Sequence, residues 1–270
     1  MLFAKKAVRA ELYGITNRGV DRANNEDNFT INGKMLRAEE IAASVECFID
    51  GGTLAFADRP LIAAVCDGMG GEDYGEVASA VAAEQLAGLA GSRQSEQTVG
   101  KALLDANRSV FDKADELGVH RCGTTAAVVY TEEDRLYASN VGDSRIYLVR
   151  GGKAKQLSRD DTEVQLLVES KLITKAEART SPRRHGLLQY LGMDDEKQHI
   201  SVYTDQIRLR ENDVILLCSD GVTDKLEDAA LAAVVRPEQS AAQIARAVVD
   251  AALASGSDDN ITAVVIRAFC

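Results

Sequence analysis

The chain has 270 residues, 46% of them apolar, and a formal net charge of −11. That length can bury a substantial core, while the acidity repels nucleic acid and anionic membrane surfaces and argues against both as partners. The five cysteines (Cys47, Cys66, Cys122, Cys218, Cys270) show no Cys-x-x-Cys spacing, which excludes a zinc knuckle or a redox pair. In chain order, Met1–Leu12 carries no apolar segment of signal-peptide length, and no later run approaches the ~20 apolar residues of a membrane span. A reducing, cytoplasmic location is therefore expected. Val8–Thr16 reads as a strand, Asn17–Asp27 as a polar loop dense in turn formers, and Asn28–Ile31 as a second strand. Residues 32–60 read as an insertion, with a short helix at Ala38–Val45 and a hairpin at Asp50–Gly52. In Leu61–Gly71, six apolar residues run into Asp67 and glycines follow at once. That pattern is a buried strand ending where backbone comes close to a ligand. Gly75–Leu89 and Ser95–Leu117 carry apolar residues at helical spacing. Gly123 opens a β-branched strand at Thr124–Tyr130. Leu136–Val141 and Arg145–Val149 flank Gly142-Asp143-Ser144 with hairpin grammar, and Arg150-Gly151-Gly152 ends that run. Ser158–Thr180 is polar and helical until Ser181-Pro182 breaks it. Val202–Leu209 and Asp213–Ser219 read as strands, Leu226–Val235 and Ser240–Ser255 as helices, and Ile261–Ala268 as the last strand.

Strands come in neighbouring runs with helices in pairs between them, unlike the strict alternation of a doubly wound sheet. With no internal repeat and no low-complexity linker, one domain over 1–270 is expected.

Acidic residues recur at strand boundaries. Glu26 and Asp27 precede a strand, Asp67 and Asp220 follow strands, and Asp259 precedes the last one. In an antiparallel sheet the end of one strand lies beside the start of its neighbour, so these carboxylates can gather on one rim. Each Asp-Gly alone is an ordinary turn pair. Four or five carboxylates sharing a small site, however, require cations, and oxygen ligands select Mg²⁺ or Mn²⁺ over zinc.

Arg22-(x)3-Glu26-Asp27, Asp67-Gly68-Met69-Gly70-Gly71, Gly123-Thr124-Thr125, Gly142-Asp143-Ser144-Arg145, Ser219-Asp220-Gly221 and Asp259-Asn260 occur in one order along the chain. In that order the chain resembles the metal-dependent serine/threonine protein phosphatases of type 2C, over about Gly14 to Arg267. The Gly-Met-Gly-Gly and Gly-Thr-Thr wording is similar to the bacterial branch. The resemblance implies an α+β fold: a four-layer α-β-β-α sandwich with two central antiparallel sheets flanked by helices. It implies two Mn²⁺ or Mg²⁺ ions. Asp67 would bridge them, Asp220 and Asp259 would complete the first, and Glu26 with the Gly68 carbonyl would hold the second. Asp27 would orient a metal-bound water, and Arg22 would grip the phosphate with its planar fork of donors. Asn260 would fix the Asp259 loop. The implied reaction is in-line hydrolysis of phosphoserine or phosphothreonine in proteins by a metal-bridging hydroxide, without a phosphoenzyme, opposing a serine/threonine kinase. The expected partners are therefore phosphorylated proteins and a cognate kinase, and the chain is expected to be a monomer.

Two departures stand out. Animal members carry a histidine directly after the Asp-Gly, where this chain has Met69. Asp224 matches a ligand of a third ion seen in many members, but the usual aspartate partner is replaced by His120-Arg121-Cys122, which leaves a third site open. Residues 151–192 correspond to the family's flap, and Ser181–His185 is basic within an acidic protein. His185 and His199 show no metal spacing and receive no role. No cysteine has an arginine six residues later, no Asp-x-Asp pair exists, and there is neither a Gly-x-Ser-x-Gly elbow nor a phosphate-binding P-loop. The alternatives are a pseudo-phosphatase that binds phosphoproteins as a regulatory module, and a structural cation-binding protein. Retention of Asp67 and Asp259 favours the enzyme over the first, and Arg22 beside the acidic set argues against the second.

Overall fold

The computed structural model describes residues 9–56, 59–69, 74–119, 122–132, 135–236 and 238–269. Gly70, Gly71 and His120 lie outside the described residues. The first elements are β1 (Arg9–Asn17), β2 (Asp27–Ile31), β3 (Lys34–Met35), α1 (Ala38–Ala42), β4 (Glu46–Ala55) and β5 (Ile62–Met69). Two helices follow, α2 (Gly75–Ala87) and α3 (Glu96–Leu117), and then β6 (Gly123–Thr124), β7 (Ala126–Glu132), β8 (Arg135–Val141), β9 (Arg145–Arg150) and β10 (Lys153–Gln156). The rest comprises α4 (Glu163–Glu169), α5 (Lys175–Thr180), β11 (Tyr203–Ile207), β12 (Val214–Cys218), α6 (Asp220–Thr223), α7 (Asp228–Val234), α8 (Ala241–Ala254) and β13 (Ile261–Phe269).

The strands form two antiparallel sheets. One runs β10-β9-β12-β13-β1-β4 and the other β11-β8-β7-β5-β2-β3, with β6 joined to the end of β5. The unbroken apolar runs are explained by burial on both faces. In β5, Ala63 and Val65 enter the core between the sheets, while Ile62, Ala64 and Cys66 pack under α2 and α3. In β12, Ile215 and Leu217 face the same central core, while Val214, Leu216 and Cys218 pack under α7 and α8. Alternating residues thus feed two different cores, which is the expected α-β-β-α sandwich. Ala78, Ala82 and Ala83 of α2 are fully or almost fully buried, their small side chains letting that helix lie close to the sheet. Helix α3 starts at Ser95, whose hydroxyl accepts from Thr98 N–H, and ends at Gly118 in the left-handed region.

Two local expectations are corrected. Asp50–Gly52 is not a hairpin. β4 continues through it as an edge strand, and the register passes from Leu12 opposite Gly52 to Tyr13 opposite Asp50, so Gly51 is the extra residue of a bulge. A Cβ on Gly51 would stand 2.7 Å from Leu12 Cβ. Nor does Gly142-Asp143-Ser144 close a hairpin. β8 belongs to one sheet and β9 to the other, so these residues carry the chain across the sandwich. Turn chemistry is local and does not specify which sheet receives the next strand. The true hairpin partner of β9 is β10, turning at Gly151-Gly152. The single helical turn α6 directly after β12 was not anticipated.

Candidate metal centre

The acidic residues come together across the seam of the two sheets rather than along the rim of one. β2 and β5 pair with Asp27 opposite Asp67, while β12 and β13 of the facing sheet carry Asp220 and Asp259 just beyond the paired residues Cys218 and Ala263. A cavity of about 410 Å³ opens over this seam. Arg22, Glu26, Asp67, Gly68, Asp220, Asp224 and Asp259 all line it, as do Asp143 and His185.

Backbone locks hold each carboxylate. Thr125 Oγ1 accepts from Asp67 N–H, and Asp67 O accepts from Thr125 N–H and Thr124 Oγ1. Thr125 Oγ1 also meets Ser144 Oγ at 2.7 Å, which ties Asp67 to the crossover carrying Asp143. Gly68 N–H donates to Glu26 O, and a Cβ on Gly68 would lie 2.1 Å from Gly75 O. Only glycine fits there. A Cβ on Gly75 would meet Glu26 Oε2 at 2.6 Å, so the Glu26 carboxylate rests against the start of α2. Asn260 acts as expected of a loop anchor: its Oδ1 accepts from Glu26 N–H and its Nδ2 donates to Arg18 O and Asn24 O. Asp27 does not line the cavity and is 1% exposed. Its Oδ2 accepts from Ser219 Oγ and Thr262 Oγ1, at 2.7 and 2.6 Å, while its Oδ1 has no hydrogen-bond partner among the described residues. Arg22 Nη2 donates to Asp259 Oδ2 at 2.7 Å.

The electrostatics are those of crowded carboxylates that the nearby cations offset only in part. Burial, then Asp27 and Asp220, push Asp67 well above its usual range. Burial, then Asp220, does the same to Asp143. Asp27 is raised to about 7, chiefly by burial and against the two hydroxyl donors on Oδ2. Burial is also the first cause for Glu26, followed by Glu76, and for Asp259 and Asp224, followed by Asp220. Such a set is costly unless cations enter, and an all-oxygen donor set with an orphaned buried oxygen beneath it fits hard divalent ions.

Asp143 and His185 were missed as cavity residues. Asp143 lies in a quoted motif but was read as a turn residue, and His185 stands 35 positions before Asp220, too far for any spacing rule. His185 Nδ1 lies 3.4 Å from Asp220 Oδ2 and its Nε2 3.2 Å from Asp224 Oδ2. Arg184, which stands 3.6 Å from Asp224 Oδ2, lines the cavity beside it.

A carboxylate cluster on two facing sheets, with the guanidiniums of Arg22 and Arg184 lining the same cavity, defines a cation-dependent protein suited to an anionic substrate. The family model of protein phosphatase 2C matches residues 48–261, and the chain belongs to that family. It is 28% identical over 260 residues to the serine/threonine phosphatase stp of Listeria innocua, covering 93% of each chain. To the serine/threonine protein phosphatase PstP of Mycobacterium tuberculosis it is 31% identical over 93% of this chain, although it spans only 43% of that longer protein. The crystal structure of the PstP catalytic domain in complex with two manganese ions superposes with a TM-score of 0.75 at 28% identity, covering 97% of this chain and all of that one. Stp1 from Staphylococcus aureus superposes with a TM-score of 0.79 at 26% identity, covering 96% of this chain and 94% of that one. Among the described residues, no helix is long and apolar enough to cross a membrane.

Proposed function

We propose that this chain hydrolyses phosphoserine and phosphothreonine in proteins with two Mn²⁺ or Mg²⁺ ions, opposing a serine/threonine kinase. The carrying observation is the meeting of Glu26 and Asp67 from one sheet with Asp220 and Asp259 from the other in a cavity that Arg22 also lines. In this reading Asp67, Asp220, Asp259, Glu26 and the Gly68 carbonyl would hold the two ions, with Asp67 contributing to both. When bound, the ions supply an acidified water and neutralise charge on the phosphoryl group. The chain's own residues do the rest. Arg22 orients the phosphoryl oxygens through charge-assisted hydrogen bonds. Asp27, fixed by Ser219 and Thr262 on Oδ2 beneath the cavity, would orient a metal-bound water through its other oxygen, Oδ1. The leaving group is the serine or threonine alkoxide, and Met69 at the cavity wall offers it no proton.

The reading takes 1–270 as one catalytic domain, with 151–192 as its flap and 32–60 as an added edge element. A reducing, cytoplasmic setting suits the free thiols of Cys47, Cys66, Cys122 and Cys218. The intact carboxylate set favours an enzyme over a phosphoprotein-binding scaffold. The test is release of phosphate from a phosphothreonine peptide with Mn²⁺, with EDTA, and with Asp67→Asn. Turnover with Mn²⁺ alone, lost in the other two conditions, is expected. Wild-type protein inert at every Mn²⁺ concentration would overturn the enzymatic reading, and full activity in EDTA would overturn the metal requirement.

A further inference from the structure

We propose that the groove between α4 and α5 on one side and α6 and α7 on the other binds the substrate polypeptide beside its phosphoresidue and selects an aliphatic side chain there. The inference rests on the phosphatase reading above and adds to it the kind of substrate sequence preferred.

A second cavity, of about 470 Å³, lies beside the metal centre. Asp143, Arg184, His185, Asp220 and Asp224 line both cavities, so the two adjoin. A phosphoserine or phosphothreonine is part of a polypeptide. When its phosphoryl group enters the metal cavity, the chain on each side has to run out of it. An extended chain advances about 3.3–3.6 Å per residue, so the near neighbours of the phosphoresidue reach the adjoining groove.

The lining of the groove decides which neighbour it takes. Val164 and Val168 of α4, Ala176 and Ala178 of α5 and Ala229 of α7 supply apolar surface. Outside the shared residues, the charges balance. Arg145, Lys175 and Arg179 stand against Asp160, Glu227 and Asp228. Arg145 donates to Asp160 through Nε and Nη2, and Arg179 stands 3.4 Å from Glu227. A charged neighbour would give up water here with no net counter-charge to meet it, whereas an aliphatic one gains by burial.

The groove is also held open by contacts on both sides. The Thr162 hydroxyl caps α4 and the Thr174 hydroxyl caps α5. Arg179 of α5 donates to Thr223 O and Asp224 O, which fixes that helix to α6. Gln156 Nε2 donates to Asp160 Oδ1 at 2.7 Å and steadies the floor. A groove set in advance loses little ordering entropy when a peptide enters it.

The test measures kcat/KM of the full chain with Mn²⁺ on phosphothreonine peptides that carry Val, Gly, Lys or Glu at successive positions on either side of the phosphoresidue. Wild type is expected to favour Val over Gly and Glu by about tenfold at a position on one flank. Two peptides are compared as a ratio within each variant, so a general loss of activity cancels. Ala229→Asp puts a carboxylate at the start of α7, where a helix tolerates it, and should replace the preference for Val by one for Lys. Val168→Lys, on the facing wall, should replace it by one for Glu at the same position. Leu172→Asp alters a side chain that is 70% exposed on the same segment but outside the groove, and should keep the wild-type ratio. Equal rates for Val, Gly and Glu at every position in wild type, or a Val preference that survives in either groove variant, overturns the inference and leaves the hydrolytic reading standing. Failure to hydrolyse any of the phosphopeptides with Mn²⁺ overturns both.

Discussion

Asp67 stands at a strand end where Asp27, Asp143, Asp220 and Asp259 all disfavour its charge. Asp67→Asn removes one of those charges while its backbone anchors to Thr124 and Thr125 remain. In EDTA near neutral pH the variant is expected to melt at or above the wild-type temperature, with the melting increment from Mn²⁺ largely lost. A variant that is less stable in EDTA would mean that Asp67 holds the fold together rather than the ions. Arg22 tests the other side of the site. Its exposed guanidinium rests on Asp259, a position from which it can turn to a phosphoryl group once a cation shares that carboxylate. Arg22→Lys retains the charge but loses the fork, so KM for a phosphopeptide should rise about tenfold, equivalent to about 1.4 kcal/mol, with kcat less affected. A large fall in kcat at constant KM would place Arg22 with the reacting centre instead.

At the scale of elements, the segment between β10 and β11 is held at both ends by buried side chains. Asp161 Oδ2 accepts from Gly142 N–H and its Oδ1 from Gln189 Nε2, linking the segment to the crossover that carries Asp143. Farther along, Asn107 of α3 accepts from Gly192 and Met193 N–H and donates to Met193 O. Gly192 has φ +107 there, and a Cβ would lie 2.7 Å from Cys122 O. Asn107→Ala leaves two amide N–H groups and a carbonyl without partners in a site where Asn107 is 2% exposed. A loss of about 2 kcal/mol or more in urea unfolding is expected. An unchanged midpoint would show that water replaces the asparagine. None of these anchors was legible in the sequence, because an asparagine within a helix gives no sign of the loop it holds 85 residues later. The strands were legible, since apolar residues dominate β5, β12 and β13. The sheet to which β9 belongs was not, because Gly142-Asp143-Ser144 is equally good chemistry for a hairpin and for a crossover.

For the whole molecule, the crowded carboxylates make stability depend on pH in a direction opposite to most acidic groups. Glu26, Asp27, Asp67, Asp143, Asp224 and Asp259 all hold protons more tightly folded than unfolded. Groups raised in this way leave stability intact below their unfolded value and erode it as pH climbs through the folded one. For Asp27 that window runs from 3.8 to about 7. In EDTA the melting temperature should therefore fall between about pH 5 and about pH 7.5. Mn²⁺ should abolish the fall, so its stabilising increment is larger at the higher pH, where the ligands are already deprotonated. Thermal melts across that range check this, and an increment larger at the lower pH would count against ions binding these carboxylates.

The sequence by itself determined the elements of the chemistry. Six short motifs in one order carry the acids, the glycines and the arginine, and apolar runs mark the strands that bear them. These are local properties, written within a few residues of one another. Tertiary structure alone decided that the acids meet across two sheets instead of along one, that Asp27 sits beneath the cavity, and that Arg22 leans on Asp259. It also decided that Asp143 and His185 join them. The reason is that register and face-to-face packing are set by burial of residues far apart in the chain, and no spacing between neighbouring residues encodes which distant strand will lie opposite. Leu61–Gly71 announced a strand ending in a carboxylate; only the docking of β12 and β13 against it turned that carboxylate into the centre of a site.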